Sequence, residues 1–153
     1  MTHPIRLRKH LSAADQVPSW PAGTYLMPIA DVDPNELYAL LSASYATGAG
    51  SVPPQADWWP AVTSDEEYDP ALVFVAASGG VPVGVALCWT SGFIKDIAVS
   101  AHMRGRGVGE ALLRTAFATL RQRGLSHVDL KVVADNAAAI RLYRRLGMIE
   151  APL

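Results

Sequence analysis

Short apolar runs alternate with amphipathic stretches along the chain, and this alternation predicts strands interleaved with helices. Runs rich in β-branched and aromatic residues, bounded by glycine, proline or serine, are typical of strands. They occur at residues 5–11, 24–29, 71–77, 81–89, 92–99 and 128–133. The tripeptide Ser78-Gly79-Gly80 separates two of these runs and predicts a tight hairpin.

Helical patterns have recognisable starts and stops. Asp33 as N-cap and Pro34 at the first helical position begin a helix that runs to about Thr47 and stops at Gly48. Apolar residues then recur at helical spacing from 108 to 120, and this second helix ends at Gly124. The stretch 49–70 contains four prolines and predicts a loop with one short helix.

A helix connects the strand at 92–99 to the strand at 128–133, and such a crossover predicts that the two strands are parallel. A last helix begins at Asp135 or Asn136 and ends at Gly147. We therefore expect an α/β fold with a mixed sheet flanked by helices on both faces. At 153 residues the chain suits a single domain, 1–153.

Composition narrows the class of protein. The chain has no run of 18 apolar residues, so no membrane partner is expected. The early cations Arg6, Arg8 and Lys9 are not followed by a secretory apolar block, and a cytoplasmic location is expected. Cys88 is the single cysteine and lies in an apolar run, while the four histidines lack paired spacing, so no metal site is predicted.

A glycine-rich loop follows the strand at 92–99 and precedes the long helix. It reads Arg104-Gly105-Arg106-Gly107-Val108-Gly109. Glycines let a backbone turn sharply and approach a ligand, and unpaired amides at a helix N-terminus attract anions such as phosphate. The same loop also serves as a simple structural turn. It lacks the lysine and Ser/Thr of a nucleoside triphosphate loop.

The spacing Arg-x-x-Gly-x-Gly resembles the acetyl-CoA loop of the GNAT superfamily of N-acetyltransferases. The resemblance extends over residues 93–148, through Asp96-Ile97-Ala98-Val99, the loop, the long helix, the strand at 128–133 and the segment 136–147. It implies a GNAT-like fold whose βαβ acetyl-CoA core lies in the C-terminal half, 93–153, with the acceptor-side half at 1–92. It also implies acetyl-CoA as co-substrate, with no metal.

The resemblance further implies where acetyl-CoA lies. The cofactor would run between the two parallel strands, with its pantetheine arm along the first strand and its pyrophosphate on the loop amides of residues 105–110. Asn136 would bond the arm, and Ala139 would leave space for it. The implied cofactor-binding residues are Ile97, Ala98, Val99, Arg104, Gly105, Arg106, Gly107, Val108, Gly109, Glu110, Asn136, Ala139 and Tyr143.

Two residues are candidates for catalysis, Tyr143 from the resemblance and Asp96 because it is a charge within an otherwise apolar strand. Tyr143 would protonate the departing thiolate, and Asp96 is the leading candidate for the base that activates the amine. Structural alternatives stay open, because Tyr143 can be a packed aromatic and Asp96 can pair with Lys95 or Lys131. The acids at 65–67 are reserve bases, and Tyr45 and three tryptophans are candidates for pocket walls.

Charge is distributed unevenly, with nine acids and three Arg/Lys at 1–92 but five acids and ten Arg/Lys at 93–153. The basic half suits an anionic cofactor, and the acidic half favours a cationic amine acceptor unless both are ordinary solvated surfaces. Small-molecule or peptide amines are therefore the expected acceptors. Nucleic acid is not expected, because few aromatics interleave with the eight arginines of the second half.

Two sites depart from family patterns. Polyamine acetyltransferases of this family often carry two acids where Lys95-Asp96 stands, and N-terminal protein acetyltransferases can carry a glutamate where Lys131 stands.

The family also usually ends with two strands after the last helix, whereas only residues 148–153 remain here. We expect the strand at 5–11, or a second subunit of a homodimer, to cover that edge. A non-catalytic acetyl-CoA-binding or sensing module is the alternative function.

Overall fold

The computed structural model describes residues 3–46 and 52–153. Its seven strands form one sheet in the order β2-β3-β4-β5-β6-β1-β7. They are β1 (Pro4–His10), β2 (Tyr25–Met27), β3 (Val73–Ser78), β4 (Val81–Cys88), β5 (Phe93–Val99), β6 (His127–Val133) and β7 (Ile149–Ala151). The helices are α1 (Pro34–Ala46), α2 (Gln55–Ser64), α3 (Val108–Gln122) and α4 (Ala137–Arg145).

The sheet is mixed, as expected, because β5 and β6 are parallel while the other pairs are antiparallel. Helices cover both faces and bury two apolar clusters. On one face α1 and α2 pack Leu37, Leu41 and Trp58 against alternate residues of β3, β4 and β5. On the other face α3 and α4 pack residues such as Leu112 and Tyr143 against the remaining positions. This arrangement confirms the predicted α/β class.

Local sequence explains the ends of the helices. A side-chain oxygen of Asp33 accepts a hydrogen bond from the Asn35 amide at 2.9 Å and caps α1. Gly124 adopts a φ of 89° directly after α3, a left-handed conformation that glycine adopts without strain. The predicted end of the first helix at Thr47 and Gly48 lies outside the described residues. No helix in the described part of the chain is long and apolar enough to cross a membrane.

Strand β1 lies between β6 and β7, far from its neighbour in sequence, β2. Leu7 of β1 is opposite Leu130 of β6 on one side and Glu150 of β7 on the other. The N-terminal strand thus covers the free side of β6, which was one of the two expected solutions, and the short strand β7 lies outside it. In the sheet, residues 4–10 lie among the strands of the C-terminal half, 93–153. The two halves divided at residue 92 in the sequence therefore do not form two separate groups of strands.

Candidate active site

The parallel strands β5 and β6 separate after two paired positions. Phe93 is opposite Asp129 and Ile94 is opposite Leu130, and the register ends there. On its other side β5 stays paired with β4 as far as Val99. A gap therefore opens between β5 and β6, and the edge of β5 from Asp96 to Val99 faces it. The resemblance predicted a cofactor arm at this position.

An irregularity in β5 sets the direction of the side chains at the gap. Leu87 is opposite Asp96 but Cys88 is opposite Ile94, so Lys95 is an extra residue in the ladder. Ile94 packs beneath α3, whereas Asp96 lies opposite Leu87, which packs beneath α1. The bulge thus turns Asp96 toward the α1 face of the sheet.

Asp96 is buried, with 5% of its surface exposed, and both of its carboxylate oxygens have partners. The Tyr45 hydroxyl from the last turn of α1 donates a hydrogen bond to Oδ1. The ammonium group of Lys95 lies 2.9 Å from Oδ2. Of the two lysines considered as partners, Lys95 is the one that pairs with Asp96. The contact with Tyr45 was not predicted, because it joins residues 51 positions apart.

Tyr143 lies on α4, which covers the opposite face of the sheet, and belongs to the apolar cluster there. It is 7% exposed, and burial raises the pKa of its phenol to about 12. Burial, the Asp96 carboxylate and Tyr143 together raise the pKa of Tyr45 far above its ordinary value. Tyr143 therefore acts electrostatically on Tyr45, although the two belong to helices on opposite faces. At neutral pH both phenols are protonated and can act as donors.

The glycine-rich loop forms an open turn at the start of α3. Gly105 and Gly107 have φ values of 75° and 94°, and Gly107 is the N-cap of the helix. A Cβ atom on Gly105 would meet nothing within 4 Å, and one on Gly107 only Pro21 at 3.7 Å. The first-turn amides of this 15-residue helix have no acceptors within the helix. The turn can therefore accept an anion.

Gly109 does not shape the open turn as Gly105 and Gly107 do. It is helical, and a Cβ there would lie 3.4 Å from Cδ2 of Leu142 and 3.7 Å from Cγ2 of Val99. Its small size lets α4 and β5 approach the first turn of α3. The expectation that all three glycines shape the turn therefore holds for two of them.

The charged side chains of the loop differ in their surroundings. Nε of Arg104 donates to the Val99 carbonyl at 3.3 Å, while Arg106 is exposed. Glu110 accepts hydrogen bonds from Arg145 at 2.7 Å and Arg114 at 3.0 Å, which lower its pKa. Its carboxylate thus links α3 to α4, and only its backbone amide is suited to an anion. Arg104 also borders a groove of about 400 Å³ between α1 and the end of β5.

Asn136 caps α4, where its side-chain oxygen accepts a hydrogen bond from the Ala139 amide at 3.3 Å. The capping role considered from sequence is thus observed. Ala139 is half-buried in the first turn of the helix, and Tyr143 follows four residues later on the same side. One side of α4 therefore carries all three α4 residues that the resemblance implied.

A cluster that was not predicted lies beside the gap on β6. Asp129 is 4% exposed in its side chain and accepts hydrogen bonds from Arg6 at 2.6 Å and Arg8 at 2.8 Å. Burial alone would raise the pKa of Asp129, but the bonds from Arg8 and Arg6 hold it below its ordinary value. The alternation of charge and leucine along β1 is the sequence signal that could have indicated this pairing.

Comparisons with known proteins agree with this geometry. The family model described as the acetyltransferase (GNAT) family matches residues 35–148. A mycothiol acetyltransferase of Tsukamurella paurometabola is 32% identical over 95% of the chain and 55% of its own length. The chain therefore spans about half of that relative.

Solved structures resemble the fold over most of its length. A GCN5-related N-acetyltransferase from Sphaerobacter thermophilus superposes with a TM-score of 0.78 at 28% identity, over 98% of this chain and 50% of that one. The ribosomal-protein-S18-alanine N-acetyltransferase of Escherichia coli gives a TM-score of 0.68 at 25% identity, over 84% and 79% of the two chains.

Proposed function

The chain belongs to the GNAT family of acetyltransferases, and we propose that it transfers an acetyl group from acetyl-CoA directly to the amine of a small molecule or peptide. The observation that carries the proposal is the gap between β5 and β6, which opens after Ile94 and Leu130 and ends at the anion-accepting turn. An extended ligand with an anionic end fits this arrangement.

The residues present suit acetyl-CoA. The amides that follow Gly107 and the guanidinium groups of Arg104 and Arg106 suit its phosphates. The backbone edge from Ile97 to Val99 suits the amides of its pantetheine arm, and the side-chain amide of Asn136, at the start of α4, is proposed to bond the same arm. Acetyl-CoA supplies an acetyl group activated as a thioester, so the protein needs only to position the amine and move protons.

In this proposal a nitrogen–carbon bond forms between the acceptor and the acetyl group while the carbon–sulfur bond breaks. The acceptor nitrogen gives up one proton, and the sulfur receives one. Tyr143 is the proposed donor, because its buried phenol is protonated at neutral pH. The thiol that forms has a pKa of about 8.5, below that of the phenol, so this donation is uphill and breakdown of the thioester must drive it. The phenol recovers its proton from solvent after product leaves.

Asp96 is the proposed acceptor of the amine proton. It is a buried carboxylate on the β5 side of the gap, and Tyr45 and Lys95 fix its orientation. Deprotonating a lysine-like amine at pH 7 costs about 4 to 5 kcal/mol, whereas an α-amine costs about 1 kcal/mol. The help that Asp96 must supply therefore depends on the acceptor.

Calorimetric titration with acetyl-CoA, followed by a transfer assay over an amine panel, tests the proposal. Gly107→Glu places a carboxylate where the phosphates would lie and should abolish binding. Gly124→Glu is the matched control, since Gly124 has a similar φ of 89° and open surroundings at the other end of α3. Binding that survives Gly107→Glu would contradict the cofactor site. Binding without transfer to any amine would favour the sensing module.

A further inference from the structure

The mouth of the gap, by which we mean the point where β5 and β6 begin to separate, carries more positive than negative charge. Lys95 lies on its β5 side, while Lys131 and Arg6 lie on its β6 and β1 side. The last paired position of the parallel strands is Ile94 with Leu130, so Lys95 and Lys131 each follow it by one residue. The two lysines thus stand where the strands begin to separate.

These cations share the face of the sheet that Asp96 occupies. Ile94 and Leu130 pack beneath α3, as does Leu7 of β1. Because side chains alternate along a strand, the neighbours Lys131 and Arg6 point to the α1 face. They are direct register partners, so their side chains lie side by side. Arg6 also lies over the ring of Phe93, with its guanidinium carbon 5.6 Å from the ring centre.

Two carboxylates lie among four cations in this region, and an excess of two positive charges remains. The cations are Lys95, Lys131, Arg6 and Arg8. Lys95 is balanced by Asp96, and Asp129 balances one of Arg6 and Arg8. Lys131 is exposed and has no ion-pair partner among residues 3–46 and 52–153. Within the same ranges, Arg6 uses only Nε to bind Asp129, so its two terminal nitrogens stay available to a ligand.

Two acids of the turn at 65–67 form hydrogen bonds with backbone amides, within the turn itself and at the hairpin between β4 and β5. A carboxylate oxygen of Glu67 accepts a hydrogen bond from the Ser91 amide at 3.0 Å. Asp65 accepts one from the Glu67 amide at 2.8 Å. Both side chains therefore cap local backbone, before the first residue of β5.

From this charge distribution we infer that the acceptor amine carries a carboxylate a few bonds away, which Lys131 and Arg6 bind at the mouth of the gap. The inference rests on the proposed acetyl transfer and adds the chemical class of the acceptor. A carboxylate matches the charge and geometry of an arginine beside a lysine. A polyamine would bring further positive charge to a cationic surface, and repulsion would weaken its binding.

The average charge of residues 1–92 favoured a cationic acceptor, but the local charges at the gap favour the opposite. Strand β1 accounts for the difference, because it carries Arg6 and Arg8 from the acidic half to the side of β6. Field effects on a ligand depend most on charges within about 8 to 10 Å at physiological ionic strength. The charges beside the gap, and not the average charge of residues 1–92, therefore set the preference for an acceptor.

Dipeptide amides test the inference with little change in the amine itself. Ala-Glu-amide, Ala-Gln-amide and Ala-Lys-amide have similar α-amines and differ in a side-chain charge. Ala-Gln with a free carboxyl terminus places the carboxylate elsewhere, and spermidine represents polycations. We expect kcat/KM to be about tenfold higher for Ala-Glu-amide than for Ala-Gln-amide at low salt, and lowest for Ala-Lys-amide and spermidine.

Lys131 is the residue to vary, since it is exposed and substitution there should not disturb folding. Lys131→Gln should reduce the preference for Ala-Glu-amide to about twofold, and Lys131→Glu should reverse it, mainly through KM. Arg121→Gln is the matched control, because Arg121 is exposed at the far end of α3. It should keep the preference of the unmodified protein.

The outcomes separate the inference from the function beneath it. Transfer with equal or better kcat/KM for neutral or cationic acceptors overturns the carboxylate inference and leaves acetyl transfer intact. A preference for Ala-Glu-amide that Lys131→Glu does not alter also overturns it. Acetyl-CoA binding with no transfer to any acceptor overturns both. If only Ala-Gln with a free carboxyl terminus is favoured, the acceptor still belongs to the carboxylate class. Its carboxylate then lies at the position of that terminus.

Discussion

The hydroxyl of Tyr45 donates a hydrogen bond to Oδ1 of Asp96, which joins the last turn of α1 to the bulge in β5. Lys95 occupies the other oxygen of the same carboxylate. Asp96 is therefore held from both sides, with one helix contact and one contact from its own strand. The orientation of the proposed base thus depends on the position of α1.

Tyr45→Phe should lower both stability and turnover. The substitution keeps the ring but leaves Oδ1 of the buried Asp96 without its donor, which costs about 1 to 2 kcal/mol of unfolding free energy. Turnover should fall more than acetyl-CoA affinity, since the lost contact orients the base. Chemical denaturation and steady-state kinetics measure the two effects.

Ser42→Ala is the control on the same helix. The Ser42 hydroxyl is buried and lacks a hydrogen-bond partner in the described part of the chain. Its removal should leave stability unchanged or raise it slightly, because an unsatisfied polar group is lost. Equal destabilisation by both substitutions would mean that the Tyr45 contact contributes nothing specific.

Tyr143→Phe should lower kcat and leave the affinity for acetyl-CoA nearly unchanged, because the phenol is proposed to act as the departing thiolate forms. Burial raises the pKa of Tyr143 to about 12, so the acid form persists up to about pH 11. The pH profile of kcat should therefore show no alkaline decline due to this group below pH 10. An unchanged kcat under chemistry-limited conditions would remove Tyr143 from its role.

Asp129→Asn should destabilise the protein by about 2 kcal/mol at pH 7, because Arg6 and Arg8 lose the charge between them. The pKa of Asp129 is lowered in the folded state. Its contribution is therefore present above the unfolded pKa of about 3.9 and is lost as the pH falls further, through the folded value. Unfolding free energies measured from pH 7 to pH 2 should decrease less for the variant. Parallel curves would assign acid sensitivity to other carboxylates.

Two alanine substitutions in the loop should have opposite effects. Gly107→Ala forces a side chain into a left-handed conformation and should cost about 1 to 2 kcal/mol. Gly109→Ala adds a methyl group at ordinary contact distance within a helix and should be neutral or stabilise by up to about 1 kcal/mol. Thermal unfolding compares the two. Similar losses at both positions would contradict the packing described around Gly109.

Cys88 should not react with thiol reagents in the folded protein. Its side chain is fully buried, and burial raises the pKa of the thiol to about 12, so thiolate is scarce at pH 8. Mass spectrometry should detect alkylation only after denaturant is added. Rapid labelling under native conditions would show that the C-terminal end of β4 opens readily.

Local patterns were enough to predict most elements of the fold. The β-rich runs, the capping pair Asp33-Pro34 and the glycine after α3 each act over a few residues, and each element appears where these signals place it. The resemblance likewise predicted the loop and the gap. Such features depend on backbone conformations that a short stretch of sequence determines by itself.

The remaining features depend on residues that are distant in sequence. Nothing near Asp96 indicates that Tyr45 will donate to it, since the contact requires α1 to cross the bulge of β5. The pairing of Arg6 and Arg8 with Asp129 depends on the register of β1 against β6. A shift of one residue would turn these charges to the other face. The charges at the gap therefore follow from tertiary structure, and average composition suggested a different acceptor.

The position of β1 also bears on how the molecule folds. Pro4 pairs with Val133 and Arg6 with Ala151, so one strand near the start of the chain must wait for partners more than 120 residues later. Contacts between such distant residues close large loops and slow folding. During synthesis, β1 would leave the ribosome long before β6 and β7 and stay unpaired in the meantime. We therefore expect completion of the sheet, and with it the cationic side of the gap, to come late in folding.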